Sequence, residues 1–180
     1  MKAIVVYESM FSNTEQIARA IAVGLGESVD VQVAEVTDAP TEPDPEVALI
    51  VAGGPTHAFS TSRKNTRADA VNQGAHEGEA EFGLREWMAA LPTGRHTEKM
   101  ATFDTKVESM HHLPGSASKG AAKAARRHGY ESVAKAFYVV ISMVRSSTVR
   151  SIGPGPGVGN SLCLSREQPT QRPSGDSCRR

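Results

Sequence analysis

The chain has 180 residues, of which 39% are hydrophobic and 22% are charged, and its formal net charge is zero. A chain of this length forms one domain with a sizeable core and is too short for two domains of ordinary size. Its apolar runs are shorter than the roughly 18 residues that a membrane span needs, so no membrane insertion is expected. The N-terminus lacks a basic region followed by a long apolar stretch. We therefore expect no signal peptide and a cytoplasmic protein.

The charge is divided unevenly along the chain. Residues 1–143 carry 14 Lys and Arg against 18 Asp and Glu, whereas residues 144–180 carry 6 Arg and 2 acidic residues. A mildly acidic body argues against nucleic acid as a partner. Both cysteines, Cys163 and Cys178, lie in the second part, so we expect no disulfide and no thiol-based metal site in the body.

Strand and helix patterns alternate along the first 140 residues. The strand patterns are short and mostly apolar, and they cover residues 2–7, 29–36, 47–52, 98–103 and 134–140. The helix patterns begin at Thr14 and at residues 63, 83 and 116, and Gly129 is the expected end of the last one. Residues 37–46 hold three prolines and leave little room for a helix. The alternation predicts an α/β fold, a three-layer doubly wound parallel sheet with strand order 2-1-3-4-5.

Residues 144–180 lose this periodicity. They contain 7 Ser, 6 Arg, 5 Gly and 4 Pro, which is the composition of a disordered tail. A sheet of this kind needs a last helix over one face, yet GPGPGVGN at 153–160 is a very poor helix former.

The tail has two interpretations. Reading residues 140–161 one base back, with G/C-rich codons, permits a turn followed by an amphipathic helix. We therefore interpret residues 144–180 as a frameshifted segment, so that the final helix is missing or replaced, and residues 1–143 as the domain. The alternative is an ordinary disordered tail.

The loop at residues 8–13 (ESMFSN) follows the first strand and leads directly into a helix. Ligands of a doubly wound sheet bind beyond the carboxyl ends of the first and third strands, where the strand order reverses. The free N–H groups at the start of a helix favour an anion. Ser12 and Glu15 also match the S-x-x-E capping box, which needs no ligand. Both interpretations stay open at this point.

The loop at residues 53–62 (GGPTHAFSTS) follows the third strand. Its glycines allow close approach of backbone, and His57 and Phe59 can flank a flat ring. The alternative is a turn with Phe59 in the core. Elsewhere, Trp87 lies on an apolar helix stripe and is expected in the core. His111 and His112 have no acidic or cysteine partner at ligand spacing, so we expect no metal site.

These segments resemble the flavodoxin family. VVYESMFSNTEQIARAIA is similar to its signature, in which a strand leads to a [ST]-x-T-G-x-T loop and a helix. GGPTHAF resembles the second FMN loop, and ATFDTK at 101–106 resembles a third conserved stretch. The resemblance covers residues 1–141 and implies FMN as the cofactor. It implies a phosphate site at Ser9, Met10, Phe11, Ser12, Asn13 and Thr14, and a ring site at Pro55, Thr56, His57, Ala58, Phe59, Asp104 and Thr105.

The resemblance also implies electron transfer to a redox partner protein or a small-molecule acceptor. Two alternatives remain: an FMN-dependent reductase that uses a reduced nicotinamide and a quinone-type acceptor, and a flavin-free or non-functional module damaged at its C-terminus. The sequence departs from the family pattern at Phe11, where the pattern has Thr, and at Ser12, where it has Gly. The third loop lacks the ring-stacking aromatic residue and offers His111 and His112 instead.

Overall fold

The structure is a computed structural model that describes residues 1–57, 60–72, 74, 81–108, 114–134, 137–141 and 149–150. Its strands are β1 Lys2–Tyr7, β2 Asp30–Glu35, β3 Val47–His57, β4 Ser60–Thr61, β5 Lys99–Val107, β6 Glu131–Ser132, β7 Phe137–Ile141 and β8 Val149–Arg150. Its helices are α1 Asn13–Gly26, α2 Lys64–Asn72, α3 Leu84–Ala90 and α4 Ala117–His128. Several residues of the sequence predictions lie outside the described residues: Ala58, Phe59, His111, His112, Cys163 and Cys178.

The strands form one sheet in the order β2-β1-β3-β5-β7-β8. The first five pair in parallel, and they are the five strands that the sequence patterns predict, in the predicted order 2-1-3-4-5. No helix lies between β2 and β3, because residues 36–46 form turns and irregular backbone, as the three prolines predict. The predicted α/β doubly wound fold is confirmed.

Three short strands were not predicted, because two residues are too few to show a periodic pattern. β4 pairs with the end of β3, antiparallel, and β6 pairs with the start of β5, parallel. β8 pairs with the end of β7, antiparallel, and it is the one part of residues 144–180 that the structure describes. The frameshifted tail and the missing or replaced final helix therefore stay predictions.

The alternating side chains of the parallel strands supply two separate cores. Val5 of β1 points to the face covered by α1, where it packs with Ile17, Val51 and Phe103. Ile4 and Val6 point to the opposite face, which α3 and α4 cover. The second core contains the following large side chains: Ile50, Leu84, Trp87, Met88 and Met100.

Trp87 lies in this second core, as predicted. Its side chain is 1% exposed. The indole N–H donates a hydrogen bond to the carbonyl of Pro40 at 3.2 Å, so the one polar atom of the ring has a partner. None of the four described helices has the length and apolar character that crossing a membrane requires.

Helix α4 begins and ends where the sequence predicts. Ser116 lies just before it, and its side-chain oxygen accepts a hydrogen bond from Lys119 N–H at 3.2 Å. Gly129 follows the helix with φ of 100°, a left-handed conformation that glycine adopts without strain. Its N–H donates to the carbonyls of Ala125 and Arg126.

Gly53 allows two neighbouring strands to pack around an aromatic ring. It pairs with Phe103 across β3 and β5. A Cβ atom at Gly53 would lie 2.3 Å from Cε1 of Phe103, which is too close for any side chain. Because Phe103 is fully buried, the ring has no free space to move into.

We predict that Gly53→Ala lowers the free energy of unfolding by about 2 kcal/mol or more, since the added methyl group overpacks the core. Gly24→Ala is the matched control, because Gly24 lies on the exposed side of α1 with nothing within 4 Å of its Cβ position. The control is expected to raise the free energy of unfolding by about 0.5–1 kcal/mol. Urea denaturation measures both, and equal effects would contradict the packing argument.

Candidate functional site

The loop between β1 and α1 does not form the predicted capping box. Ser12 precedes the helix, but its side chain makes no capping hydrogen bond. Glu15 instead accepts a hydrogen bond from Arg19 Nε at 2.9 Å. The acceptor at this helix start is the buried Ser9, whose Oγ accepts from Glu15 N–H at 3.1 Å. The capping-box interpretation is therefore wrong, because the backbone of Ser12 is left-handed and not extended as in a capping residue.

Ser12 has φ of 58° and ψ of −1°, the left-handed conformation. Among the described residues, it is the one non-glycine residue with positive φ. A side chain in this conformation is disfavoured, and glycine avoids the cost because it has no Cβ. The family pattern has glycine at this position. Serine in its place therefore strains the backbone.

The remaining residues of the loop differ in exposure. Met10 is 2% exposed and packs against Ala70 of α2, which anchors the loop to the domain. Phe11 is 48% exposed. Ser12 and Asn13 are half-buried. The loop therefore presents its apex, residues 11–13, to solvent while its two ends are buried.

Thr14 and Thr105 connect the start of α1 to the carboxyl end of β5. Their hydroxyl oxygens lie 2.8 Å apart in a buried hydrogen bond. Thr14 is 2% and Thr105 is 5% exposed. The resemblance to flavodoxins implies the phosphate site for Thr14 and the ring site for Thr105, and the two side chains are in direct contact.

Asp104 and Thr56 form a second connection, on the opposite face of the sheet. Asp104 is fully buried, and its carboxylate accepts hydrogen bonds from Thr56 Oγ1, from Ala117 N–H at 3.1 Å and from Ser118 Oγ at 2.6 Å. Ala117 N–H also donates to Thr56 Oγ1 at 2.9 Å. This network holds the first turn of α4 against β3 and β5, so both side chains have structural partners in addition to the predicted role at the ring.

A third network surrounds Glu8, which no sequence pattern singles out. Glu8 is fully buried at the carboxyl end of β1, and its Oε2 accepts a hydrogen bond from Leu84 N–H, the first residue of α3, at 2.7 Å. Its Oε1 has no hydrogen-bond partner among the described residues. A Cβ at Gly83 would lie 2.8 Å from Oε2 of Glu8 and 2.7 Å from Nη1 of Arg67, so the carboxylate and the guanidinium are neighbours.

Arg67 of α2 is the cation of this network and is fully buried. Its guanidinium donates to Ser62 Oγ at 3.0 Å and to the Glu81 carbonyl at 3.2 Å, and it pairs with Glu86 at 3.0 Å. A buried arginine with these partners joins α2 to the start of α3. Arg67 stands in a polar stretch, RKNTRAD, where arginines are usually solvated, so the sequence carries no signal for its burial.

Burial raises the pKa of the Glu8 carboxyl, because the low-dielectric interior disfavours its charged form. Ser62, the Leu84 N–H and Arg67 oppose this effect in part, whereas the charge of Glu86 adds to it. Burial and the positive charge of Arg67 also lower the pKa of His57. The carboxyl ends of β1 and β3 therefore carry two groups with shifted pKa values, Glu8 and His57.

The predicted ring-site residues of β3 lie at this same edge of the sheet. Pro55, Thr56 and His57 are half-buried at the end of the strand. Ala58 and Phe59 lie outside the described residues, so their place in the site stays a prediction. No group of three or more His, Cys, Asp or Glu side chains is placed to hold a metal ion within the described ranges.

Three of the four described helices, α1, α3 and α4, begin with an N–H bonded to a side chain at or just beyond the end of a strand, and the acceptor differs among them. The first N–H of α3 donates to the Glu8 carboxylate, and that of α4 donates to the Asp104 carboxylate. At α1 the acceptor is a neutral hydroxyl, Ser9 Oγ. Since a helix N-terminus favours negative charge, α1 is the one of the three whose anion the protein does not supply through a strand-end carboxylate.

We predict that Ser12→Gly raises the free energy of unfolding by about 0.5–1 kcal/mol, because glycine removes the cost of the left-handed backbone and adds a smaller entropic cost. Ser28→Gly is the control, because Ser28 is an exposed residue with negative φ. The control is expected to lower the free energy of unfolding by about 0.5 kcal/mol. A loss of stability in Ser12→Gly, measured by urea denaturation, would contradict the strain.

We predict that Glu8→Gln changes how stability depends on pH. A raised pKa in the folded state means that Glu8 stabilises the fold below pH 4.5, the ordinary pKa, and that this contribution is lost as pH rises through the folded-state value. The wild-type free energy of unfolding should therefore fall more between pH 4.5 and pH 8 than that of Glu8→Gln. Gln keeps an acceptor for Leu84 N–H and has no charge to bury.

The comparison isolates Glu8, because His57, Arg67 and Glu86, the other charged or titratable groups of this network, are unchanged in both proteins. Glu46→Gln is the control, since Glu46 is exposed and pairs with Lys2 at the other end of the sheet. Urea denaturation across this pH range measures all three proteins. Parallel curves for wild type and Glu8→Gln would show that burial does not perturb Glu8.

Comparisons with known proteins support the fold. No protein-family model matches the sequence, and no curated protein matches it significantly. Among solved structures, a flavodoxin from the domain Archaea is 24% identical, with a TM-score of 0.54, over 79% of this chain and 85% of the other. Oxidised Flavodoxin 2 from Bacillus cereus is 19% identical, with a TM-score of 0.55, over 81% of this chain and 88% of the other.

A flavodoxin from Streptococcus pneumonia TIGR4 is 17% identical, with a TM-score of 0.54, over 78% of this chain and 83% of the other. At these identities the likeness shows the arrangement of strands and helices and leaves the ligand open. Together with the strand order, it establishes that this chain has a flavodoxin-like fold.

Proposed function

We propose that this protein binds FMN and transfers electrons. The observation that carries the proposal is the difference between the three helix starts at the carboxyl edge of the sheet. The carboxyl groups of Glu8 and Asp104 accept the first N–H of α3 and of α4, whereas α1 begins at a solvent-facing loop with a hydroxyl group as its acceptor. A phosphate group carries the negative charge that the N-terminus of α1 favours.

The residues around α1 fit a phosphate monoester. The loop apex, residues 11–13, is accessible. The loop and the first turn of α1 offer hydroxyl and amide groups, and residues 8–14 contain no Lys or Arg. Ser9 and Thr14 are buried and held by hydrogen bonds to Glu15 N–H and to Thr105, so their positions are fixed before a ligand binds. Such preorganisation lowers the entropic cost of binding.

The ring of FMN would lie toward the ends of β3 and β5, where Pro55, Thr56 and His57 are half-buried. FMN, when bound, supplies the electron-transfer chemistry. The protein binds and orients it, excludes water and sets the local charge. Asp104 is fully buried and bonded to α4, so its contribution is to hold the Thr56 side chain and the strand ends in place.

Several findings support FMN as the proposed ligand. The matched solved structures are flavodoxins, and three loops of this sequence resemble the family in the right order. The composition of the chain disfavours a thiol-based site in the body and a nucleic-acid partner. With FMN bound, the chain would pass electrons to a redox partner protein or to a small-molecule acceptor.

The test is a titration of FMN with the purified full-length chain, followed by quenching of flavin fluorescence. We expect saturable binding of one FMN per chain with a dissociation constant of about 1 μM or tighter, which corresponds to a binding free energy of about −8 kcal/mol. Riboflavin, which lacks the phosphate, should bind at least about tenfold more weakly. Absence of quenching up to about 100 μM protein would overturn the proposal.

We predict that Thr14→Val weakens FMN binding about tenfold or more, because it removes a hydroxyl group from the phosphate site and leaves Thr105 without its partner. Thr102→Val is the matched control, since Thr102 is also buried and bonded, to the Ser118 carbonyl at 3.0 Å, but lies outside the site. Both variants should lose about 1–2 kcal/mol of stability. Equal affinity in both variants would contradict the role of Thr14.

A further inference from the structure

The solvent side of α4 carries a row of four cations, which we name the basic stripe: Lys119, Lys123, Arg126 and Arg127. All four are exposed. Residues spaced by three and four positions share one face of a helix, so the four charges project on the same side. No Asp or Glu occurs among the twelve residues of α4, and its buried side is made mainly of alanine.

The basic stripe does not stabilise the helix that carries it. Lys119 and Lys123, and Lys123 and Arg127, are like charges four positions apart, which repel each other on a helix. Arg126 and Arg127 lie in the last turn, where positive charge interacts favourably with the helix dipole, but Lys119 lies in the first turn, where it does not. Among the described residues, the ion pairs involve other cations and leave these four unneutralised.

A cleft of about 280 Å³ between α3 and α4 adjoins the basic stripe. The charged or titratable side chains that line it are Arg85, Lys123, Arg127 and His128, and none of the described residues that line it is Asp or Glu. Arg85 is held in place because its guanidinium donates to the Ser62 carbonyl at 3.2 Å, the Thr61 carbonyl at 3.1 Å and Ser60 Oγ at 3.3 Å. The cleft therefore presents a fixed guanidinium beside exposed lysine and arginine side chains.

The basic stripe begins next to the predicted ring site. Ala117, the first residue of α4, donates its N–H to Thr56 and to Asp104, for which the resemblance to flavodoxins implies a place at the ring. Lys119 follows two residues later. A molecule that contacts the start of the basic stripe is therefore close to the edge of the sheet where the flavin is proposed to bind.

We propose that the basic stripe and the adjoining cleft form the docking surface for an acidic protein, which in the proposed function is the electron-transfer partner. That this partner takes part in electron transfer rests on the proposed function. Opposite charges on two proteins speed their encounter and orient them, and this effect falls as salt screens it. The whole chain has no net charge, so its overall charge does not attract an acidic protein.

The test measures binding of a fluorescein-labelled peptide of twenty glutamates to the full-length chain, with and without FMN, by fluorescence anisotropy. We expect binding that weakens about tenfold between 25 and 150 mM salt. The double variant Lys123→Glu with Arg127→Glu should lose at least about tenfold in affinity. The control is Lys2→Glu with Lys99→Glu, which changes the net charge equally at exposed side chains outside α4.

The control should bind within about twofold of the wild type. No binding of the peptide, or equal losses in the two double variants, would overturn the docking surface. Tighter binding of a single-stranded DNA of twenty nucleotides at the same salt would also overturn it, in favour of a nucleic acid. A chain that binds the peptide but not FMN contradicts the proposed function alone, and one that binds FMN but not the peptide contradicts the docking surface alone.

Discussion

Two buried carboxylates hold the helical layer against the sheet on one face of this protein. Glu8 at the end of β1 accepts the first N–H of α3, and Asp104 near the end of β5 accepts the first N–H of α4. A buried carboxylate is costly unless hydrogen bonds compensate it, and a helix N-terminus offers both donors and a favourable dipole. Because both contacts lie at the carboxyl edge, they fix the position of the strand ends from which any ligand site must be built.

The parallel sheet and its order follow from short apolar strands, such as IVV in β1 and VALIVA in β3, whose continuous apolar character indicates burial on both faces. The stop of α4 at Gly129 follows from local turn chemistry in the same way. These features can be predicted from the sequence because a few neighbouring residues determine them. The two-residue strands and the left-handed Ser12 depend on distant contacts, and no local pattern specifies them.

The candidate site also combines features that can be predicted from the sequence with features that depend on distant contacts. The resemblance to flavodoxins implies that Thr14, Thr56, Asp104 and Thr105 line one site, and these residues lie at the carboxyl edge of the sheet. The resemblance does not predict that the pairs Thr14 with Thr105 and Thr56 with Asp104 bond to each other. The sequence interpretation of Gly53 is close approach of a ligand, whereas the ring of Phe103 is sufficient to require a glycine. Glu8 and Arg67 escape prediction, because charged residues in polar surroundings are usually solvated.

The antiparallel strand β8 has a consequence for how these molecules behave when crowded together. An outer strand with unpaired N–H and C=O groups is a template on which a strand of a neighbouring molecule can add, and repeated addition leads to aggregates. β8 pairs with Val140 and Ile141 at the outer edge of β7. Along that short stretch the chain itself continues the sheet with a strand antiparallel to β7, so β8 is the outer strand there, and its two residues make it a very short template for a neighbouring molecule.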